Sequence, residues 1–354
     1  MKTPTIYDVA AHAGVSKSLV SLVLRGSPRV SDEKREAVQR AVDELGYTPS
    51  RLAAGLAGSR TRSVGVVIDE FENLWFAPAL AGLRSALAEG RYSLSVADTA
   101  LNAHLGIDPL EAFRALRVDG VVLAGEVSEA SLARLGIPAV VLGTRSFAAG
   151  GAPVIASDEV AGGRLATAHL IGLGHRDIAC VTAPGASASA RETGYVAEMR
   201  AHGLEPRIVR SVQTSEVAAR IAASAMFDSA ASGGSGVSAG GGPAGGGIPT
   251  AIFAVNDPMA VGVIGAAAER GIAVPEQLSV VGYDDSPLAA YEFLSLTTVS
   301  GDPRELGEEA GRALVELMEA EAGSAPPSAP ATARLLPPRL MTRASTAAPA
   351  PTHS

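Results

Sequence analysis

From residue 62 onward the sequence repeats one pattern: a strand-length apolar run, a stretch of helical character, then another run. The runs fall at 64–68, 92–97, 119–123, 138–142, 178–181, 251–255 and 278–281, with helical stretches near 78–90 and 164–171. Apolar runs buried on both faces are what parallel sheets covered by helices require. The alternation restarts after position 160, so the expected fold class is α/β, with two successive lobes and a cleft between them. In open parallel sheets, ligands gather beyond the carboxyl ends of the strands. That rule selects Asn256 and Asp257, Asp284 and Asp285, Asp158 near the change of lobe, and Arg191 in the loop beyond Val181. Carboxylates, an amide and a guanidinium converging on a cleft can bind sugar hydroxyls through paired hydrogen bonds. Each also fits ordinary capping, since Asn256-Asp257-Pro258 can simply open a helix.

The first fifty residues are built differently. Thr5 can cap a helix beginning at Ile6, with Asp8 as the acidic partner, and Ile6, Val9, Ala10 and Ala13 share a face. Gly14 breaks the pattern and Ser16 caps a second helix running to Leu24, with Leu19, Val20, Val23 and Leu24 apolar. Ser31 caps a third, with Asp32 and Glu33 in its first turn and Gly46 at its end. Short helices joined by a glycine turn give helix-turn-helix geometry, in which the second helix enters the major groove. Lys17, Ser18, Ser21 and Leu22 would face outward there. A three-helix domain that binds nothing has the same pattern.

The total charge of −8 weighs against nucleic acid as a partner until it is divided. Residues 1–62 hold ten basic and six acidic side chains, a net of +4, which leaves −12 for the remainder. A small basic head thus sits on an acidic body. The single cysteine, Cys180, forms no intramolecular disulfide, which fits a reducing compartment. No stretch approaches the ~18 apolar residues of a membrane span, and the N-terminus lacks a signal-type apolar core. The chain reads as soluble and cytoplasmic, with no membrane partner.

Thr5-Ile6-Tyr7-Asp8-Val9-Ala10-Ala11-His12-Ala13-Gly14-Val15-Ser16 resembles the head of the LacI family of bacterial repressors, as do Val30-Ser31 and Leu45-Gly46-Tyr47-Thr48-Pro49-Ser50. In the body, Val255-Asn256-Asp257-Pro258-Met259-Ala260 resembles the family's Asn-Asp motif and Gly282-Tyr283-Asp284-Asp285 its Gly-Tyr/Phe-Asp-Asp motif. The resemblance covers nearly the whole chain. It implies a helix-turn-helix domain at 1–48, a hinge helix at 49–61 and a periplasmic-binding-protein-like sensor at 62–345. Lobe 1 would span about 62–159 and 293–323, lobe 2 about 160–292 and 324–345, and 346–354 would be a disordered tail. It further implies a homodimer on a pseudo-palindromic double-stranded DNA operator, whose affinity changes when a sugar or sugar-like effector shifts the lobes between two arrangements.

By the same resemblance, Thr5, Tyr7, Ser16, Lys17, Ser18, Ser21, Leu22 and Arg25 meet DNA, Arg51 and Arg60 meet phosphates, and Leu56 wedges into the minor groove. The effector contacts implied are Trp75, Phe76, Asp158, Arg191, Asn256 and Asp284, with an indole stacking on a sugar face; Trp75 would equally plug the first helix of the body. Two departures stand out. Leu19, Leu22 and Arg25 occupy positions where the family most often has threonine, arginine and asparagine, and Leu22 cannot hydrogen-bond guanine. The aromatic residue that often closes the pocket has no counterpart in Val212-Gln213-Thr214. Residues 229–247, almost wholly Gly, Ala and Ser, and 323–331, rich in Pro and Ala, read as flexible segments.

Enzyme signatures fail. Gly172-Leu173-Gly174-His175 lacks the third glycine of a dinucleotide fingerprint and follows a helix, so a helix C-cap accounts for it. Histidines are scattered without zinc spacing, and Ser187 and Ser189 lie outside any Gly-x-Ser-x-Gly elbow. No cofactor, metal or catalytic residue is expected. A solute-binding module for transport competes as a reading of the body, but the basic helical head counts against it.

Overall fold

The computed structural model describes residues 4–24, 27–47, 60–147, 149–231, 247–322 and 333–350. The chain divides into two units, Met1–Thr61 and Arg62–Ser354.

The first unit holds α1 (Ile6–His12), α2 (Lys17–Leu24) and α3 (Asp32–Leu45). The Thr5–Asp8 capping box forms: the Asp8 N–H donates to Thr5 Oγ1 at 3.4 Å and the Thr5 N–H to Asp8 Oδ2 at 2.7 Å. Gly14 turns the chain at φ 64°, a conformation that costs other residues more, and Ser16 Oγ accepts from the Leu19 N–H at 3.2 Å. Val9, Ala10, Val20, Val23, Val30, Val38 and Ala41 form the core. Ser31 occupies the N-cap position of α3, but its side chain makes no capping bond. The acidic Asp32 and Glu33 of the first turn still favour that terminus. Leu22, expected to face outward, is half-buried against the core, because α2 packs a broad apolar side.

The second unit contains β1 (Ser63–Ile68), α4 (Phe76–Leu87), β2 (Ser93–Asp98), α5 (Thr99–Asn102), α6 (Pro109–Leu116), β3 (Gly120–Leu123), α7 (Glu129–Ala133), β4 (Ala139–Leu142) and β5 (Val154–Ser157). After these come α8 (Glu159–Gly172), β6 (Ile178–Thr182), α9 (Ala186–Ala201), β7 (Arg207–Arg210), α10 (Glu216–Ala231), β8 (Ala251–Ala254), α11 (Asp257–Ala268), β9 (Ser279–Tyr283), β10 (Thr297–Ser300), α12 (Pro303–Ala322), β11 (Ala333–Leu336) and β12 (Arg339–Met341). Two six-stranded sheets result, ordered β11-β5-β4-β3-β1-β2 and β12-β10-β9-β8-β6-β7. Among the described residues all pairings are parallel except β10 with β12.

Among the described residues the chain passes between sheets three times, at Asp158, at 301–302 and at 337–338. The second and third passages lie later than the expected boundaries at 293 and 324. The reason is chemical: β10 reads Thr-Thr-Val-Ser and escapes an apolar-run search, yet it is buried. Its hydroxyls find acceptors, Thr298 Oγ1 donating to Asp257 Oδ1 at 2.6 Å and Thr297 Oγ1 to Arg343 O at 3.2 Å. Likewise β11 belongs to the first sheet although three of its four residues are exposed.

Residues 346–350 are not a loose tail. Thr346 Oγ1 lies 3.0 Å from His169 Nε2, and Ala347 O 2.9 Å from Nε2 of buried His175. The segment expected to be flexible from 229 begins in α10, which continues to Ala231; 232–246 and 323–332 lie outside the described residues, as does 48–59, most of the expected hinge. The Gly172–His175 segment closes α8, with Gly174 at φ 104°.

Helices α8 and α9 touch backbone to backbone. A Cβ on Gly163 would sit 2.1 Å from Arg191 O, and one on Gly194 2.2 Å from Val160 O. Alanine fits neither place without separating the helices. Gly194→Ala should therefore lower the stability of the full chain by about 2 kcal/mol, measured by denaturant unfolding.

Candidate ligand cleft and nucleic-acid-binding head

In the first unit, Tyr7, Lys17 and Ser18 are exposed, and Lys17 Nζ lies 3.2 Å from Tyr7 Oη and 4.9 Å from its ring centre. Thr5 and Ser16 are also exposed, though both are used as caps; Ser21 is half-buried. The N-terminus of α2 thus presents a cation and hydroxyls to solvent on the side that carries Tyr7. His12 pairs with Glu44 at 2.6 Å. Arg25, Arg51 and Leu56 lie outside the described residues.

The second unit holds a cleft of about 490 Å³. Its walls come from the carboxyl ends of strands in both sheets: Asp69 and Glu70 after β1, Gly143 to Arg145 after β4, Pro184 to Ala188 after β6, Asn256 after β8 and Asp284 after β9. Trp75 and Phe76 line it too, their rings edge to face with centres 5.3 Å apart. Trp75 is half-buried, while Phe76 is a core residue.

Arg191 is the centre of the cleft floor. Its Nε lies 2.6 Å from Glu159 Oε2, its Nη2 3.0 Å from Asp284 Oδ1, and its Nη1 donates to Val255 O at 2.7 Å. The guanidinium also stacks on the Tyr283 ring, 3.7 Å from its centre. Burial opposes this charge, but Asp284 and Glu159 outweigh it and hold Arg191 above its ordinary pKa. The cost falls on Asp284: burial pushes its carboxyl up to about 7, with Arg191 only partly offsetting the rise. Asp284 also takes a strained φ of 106°. Neighbouring Asp257 is fully buried, accepts from Thr298 Oγ1 and the Ser286 N–H, and is raised to about 6, chiefly by burial.

The structure therefore brings Trp75, Phe76, Arg191, Asn256 and Asp284 to one cleft. Asp158 is not among the lining residues: it caps α8, its Oδ1 accepting from the Ala161 N–H at 2.9 Å, and the next residue, Glu159, lines the cleft instead. An Asp-Glu pair at a helix start carries that signal, since the shorter acid suits the cap. Asn256 does both jobs, accepting from the Met259 N–H and donating to Thr214 O while lining the wall. Sequence reasoning missed Arg145, which pairs with Asp69, and the Ser187 hydroxyl, which donates to Thr144 O at 3.3 Å.

A carboxyl raised in the folded state binds more protons there than when unfolded. Its contribution to stability is therefore lost as pH climbs from the unfolded value toward about 7. Asp284→Asn removes that dependence. Between pH 5 and 8 the melting temperature of the variant should rise relative to the parent by roughly 5 °C, read from parallel thermal melts.

Residues 5–50 match the family model for bacterial regulatory proteins of the lacI family, and 167–346 match the periplasmic binding protein-like domain. The chain is 32% identical to the HTH-type transcriptional repressor PurR of Vibrio atlanticus, across 88% of this chain and 91% of that one. It is also 32% identical to the ribose operon repressor of Haemophilus influenzae, with the same coverage. A crystal structure of the Lac repressor dimer bound to operator and the anti-inducer ONPF superposes with a TM-score of 0.79, at 27% identity, over 98% of this chain and 100% of that chain. With a helix-turn-helix head and a two-lobed ligand cleft in one polypeptide, this chain belongs to the lacI family of bacterial transcriptional regulators.

Proposed function

We propose that the protein is a cytoplasmic repressor whose operator affinity is set by a small carbohydrate bound in the cleft. The carrying observation is the Arg191 cluster. Glu159 directly follows the Asp158 passage between the sheets, so a ligand that touches this cluster touches a segment whose geometry changes when the lobes move. Asp284 Oδ2, Asn256 and the Trp75 ring supply an acceptor, an amide and an apolar face, the groups a sugar requires. A ribose operon repressor among the relatives supports that ligand class. In this reading Trp75, Phe76, Arg191, Asn256 and Asp284 contact the effector, and Asp158 acts only by capping α8.

The head reads DNA as one half of a homodimer on a pseudo-palindrome; the likeness to a Lac repressor dimer bound to operator supports this. Tyr7, Lys17, Ser18 and Ser21 meet the duplex from α1 and α2, with Thr5 and Ser16 at the helix starts. Leu22 offers at most an apolar edge to a thymine methyl, so base specificity rests on its neighbours. Residues 49–61, with Arg51 and Leu56, serve as the hinge. No catalytic step is assigned.

Two measurements test this. In mobility-shift assays with DNA upstream of its own gene, the full chain should give a specific shift that weakens at higher salt. Lys17→Ala should cost about tenfold in affinity across sequences. Absence of any specific shift at moderate salt, with or without sugars, sinks the repressor reading. In a thermal-shift screen against neutral carbohydrates, a ligand at about 100 times its Kd should stabilise the chain by about 2.7 kcal/mol and alter the fluorescence of Trp75, the sole tryptophan. A screen without hits removes the sugar.

A further inference from the structure

Among the described residues, Arg145 and Arg191 are the cationic side chains that line the cleft, facing the carboxylates of Asp69, Glu70, Glu126, Glu159 and Asp284. Both guanidiniums already face carboxylates. Arg191 is held as described above. Arg145, 11% exposed, has its Nη1 2.9 Å from Asp69 Oδ2 and donates through Nε to Leu142 O at 3.1 Å. The second oxygen of Asp69 accepts from the Glu126 N–H at 2.7 Å, which fixes the carboxylate in place.

We propose that Asp69 is a specificity residue: by occupying Arg145 it makes the cleft reject anions, so that the effector carries neither phosphate nor carboxylate. The inference deepens the effector reading and rests on it. One feature pulls the other way. The N-terminus of α9 opens on the cleft at Gly185 to Ala188, and a helix terminus carries about half a positive charge. Even with Asp284 only partly charged, four further carboxylates against two guanidiniums exceed that, and the N–H groups of a helix start serve neutral hydroxyl oxygens equally well. Burial disfavours the Arg145 charge, and Asp69, ahead of Glu126 and Glu159, opposes that effect, so removing the Asp69 charge takes from a buried cation its directly paired anion. Asparagine keeps an oxygen for the Glu126 N–H while giving up the charge.

The test uses the full chain in thermal melts with inorganic phosphate or glucose 6-phosphate at about 10 mM, ionic strength matched with sodium chloride. Neither should raise the parent's melting temperature. Asp69→Asn should gain stabilisation by phosphate, and the gain should vanish in Asp69→Asn combined with Arg145→Gln. Stabilisation of the parent by either anion overturns the proposal, as does an Asp69→Asn protein indifferent to phosphate. Should that variant not fold, Asp69→Ser replaces it under the same criteria, and the parent's response still decides alone. Should the anions behave as expected while no neutral carbohydrate binds, the anion filter stands and the sugar reading fails.

Discussion

Much of the sensor unit depends on one buried cation. A guanidinium out of water is tolerable only when its charge and its donors are met, and Arg191 is met from three places in the sequence. Glu159 comes from the passage between lobes, Val255 O from the end of β8, and Asp284 from the end of β9. Strand ends far apart in the chain are thereby held in one register around the floor of a cleft. The glycine contacts of α8 with α9 belong to the same arrangement, because they bring the Arg191 backbone against Gly163. Replacing a residue in this cluster would leave its partner charged and buried, so its members are coupled and their contributions do not add.

On the proposed reading, the same cluster is where the fold would sense a ligand. Two carboxyls, Glu159 and Asp284, share a single guanidinium, a third, Asp257, is near enough to add to the charge around Asp284, and burial pushes Asp257 and Asp284 well above the carboxylate range. Such a site is poised: a ligand that donates hydroxyl hydrogens to Asp284 stabilises its charged form and relieves part of the desolvation cost. Anions would add to the crowding of negative charge, whereas neutral polyols lessen it. On the proposed reading, ligand class and lobe geometry are aspects of one electrostatic balance.

Much of this was legible in the residues. The central strands are uninterrupted apolar runs, and the head helices carry their caps and their glycine turn on the surface of the sequence. What escaped did so for physical reasons. Strand β10 is buried with threonines whose hydroxyls are satisfied by Asp257 and Arg343, so hydropathy does not mark it. Edge strand β7, Arg-Ile-Val-Arg, has only two apolar residues because its rim faces solvent. Asp158 caps α8 and Glu159 lines the cleft because a cap is decided by where a helix begins, to within one residue. Arg145 lies in a loop, and nothing in its neighbours marks a partner 76 positions away.

Residues 345–347 have a role of their own. Ser345 exchanges backbone and side-chain hydrogen bonds with Val280 of central strand β9, and Ala347 O accepts from inside the lobe beside His175 and Ser279. These residues act as a bolt through the second lobe rather than as an ending. A nick or a stop codon after residue 342 would strip His175 of an acceptor and open the back of the sheet to water, although every strand would still be present. The integrity of the second lobe is therefore settled only once residues 345–347 are in place.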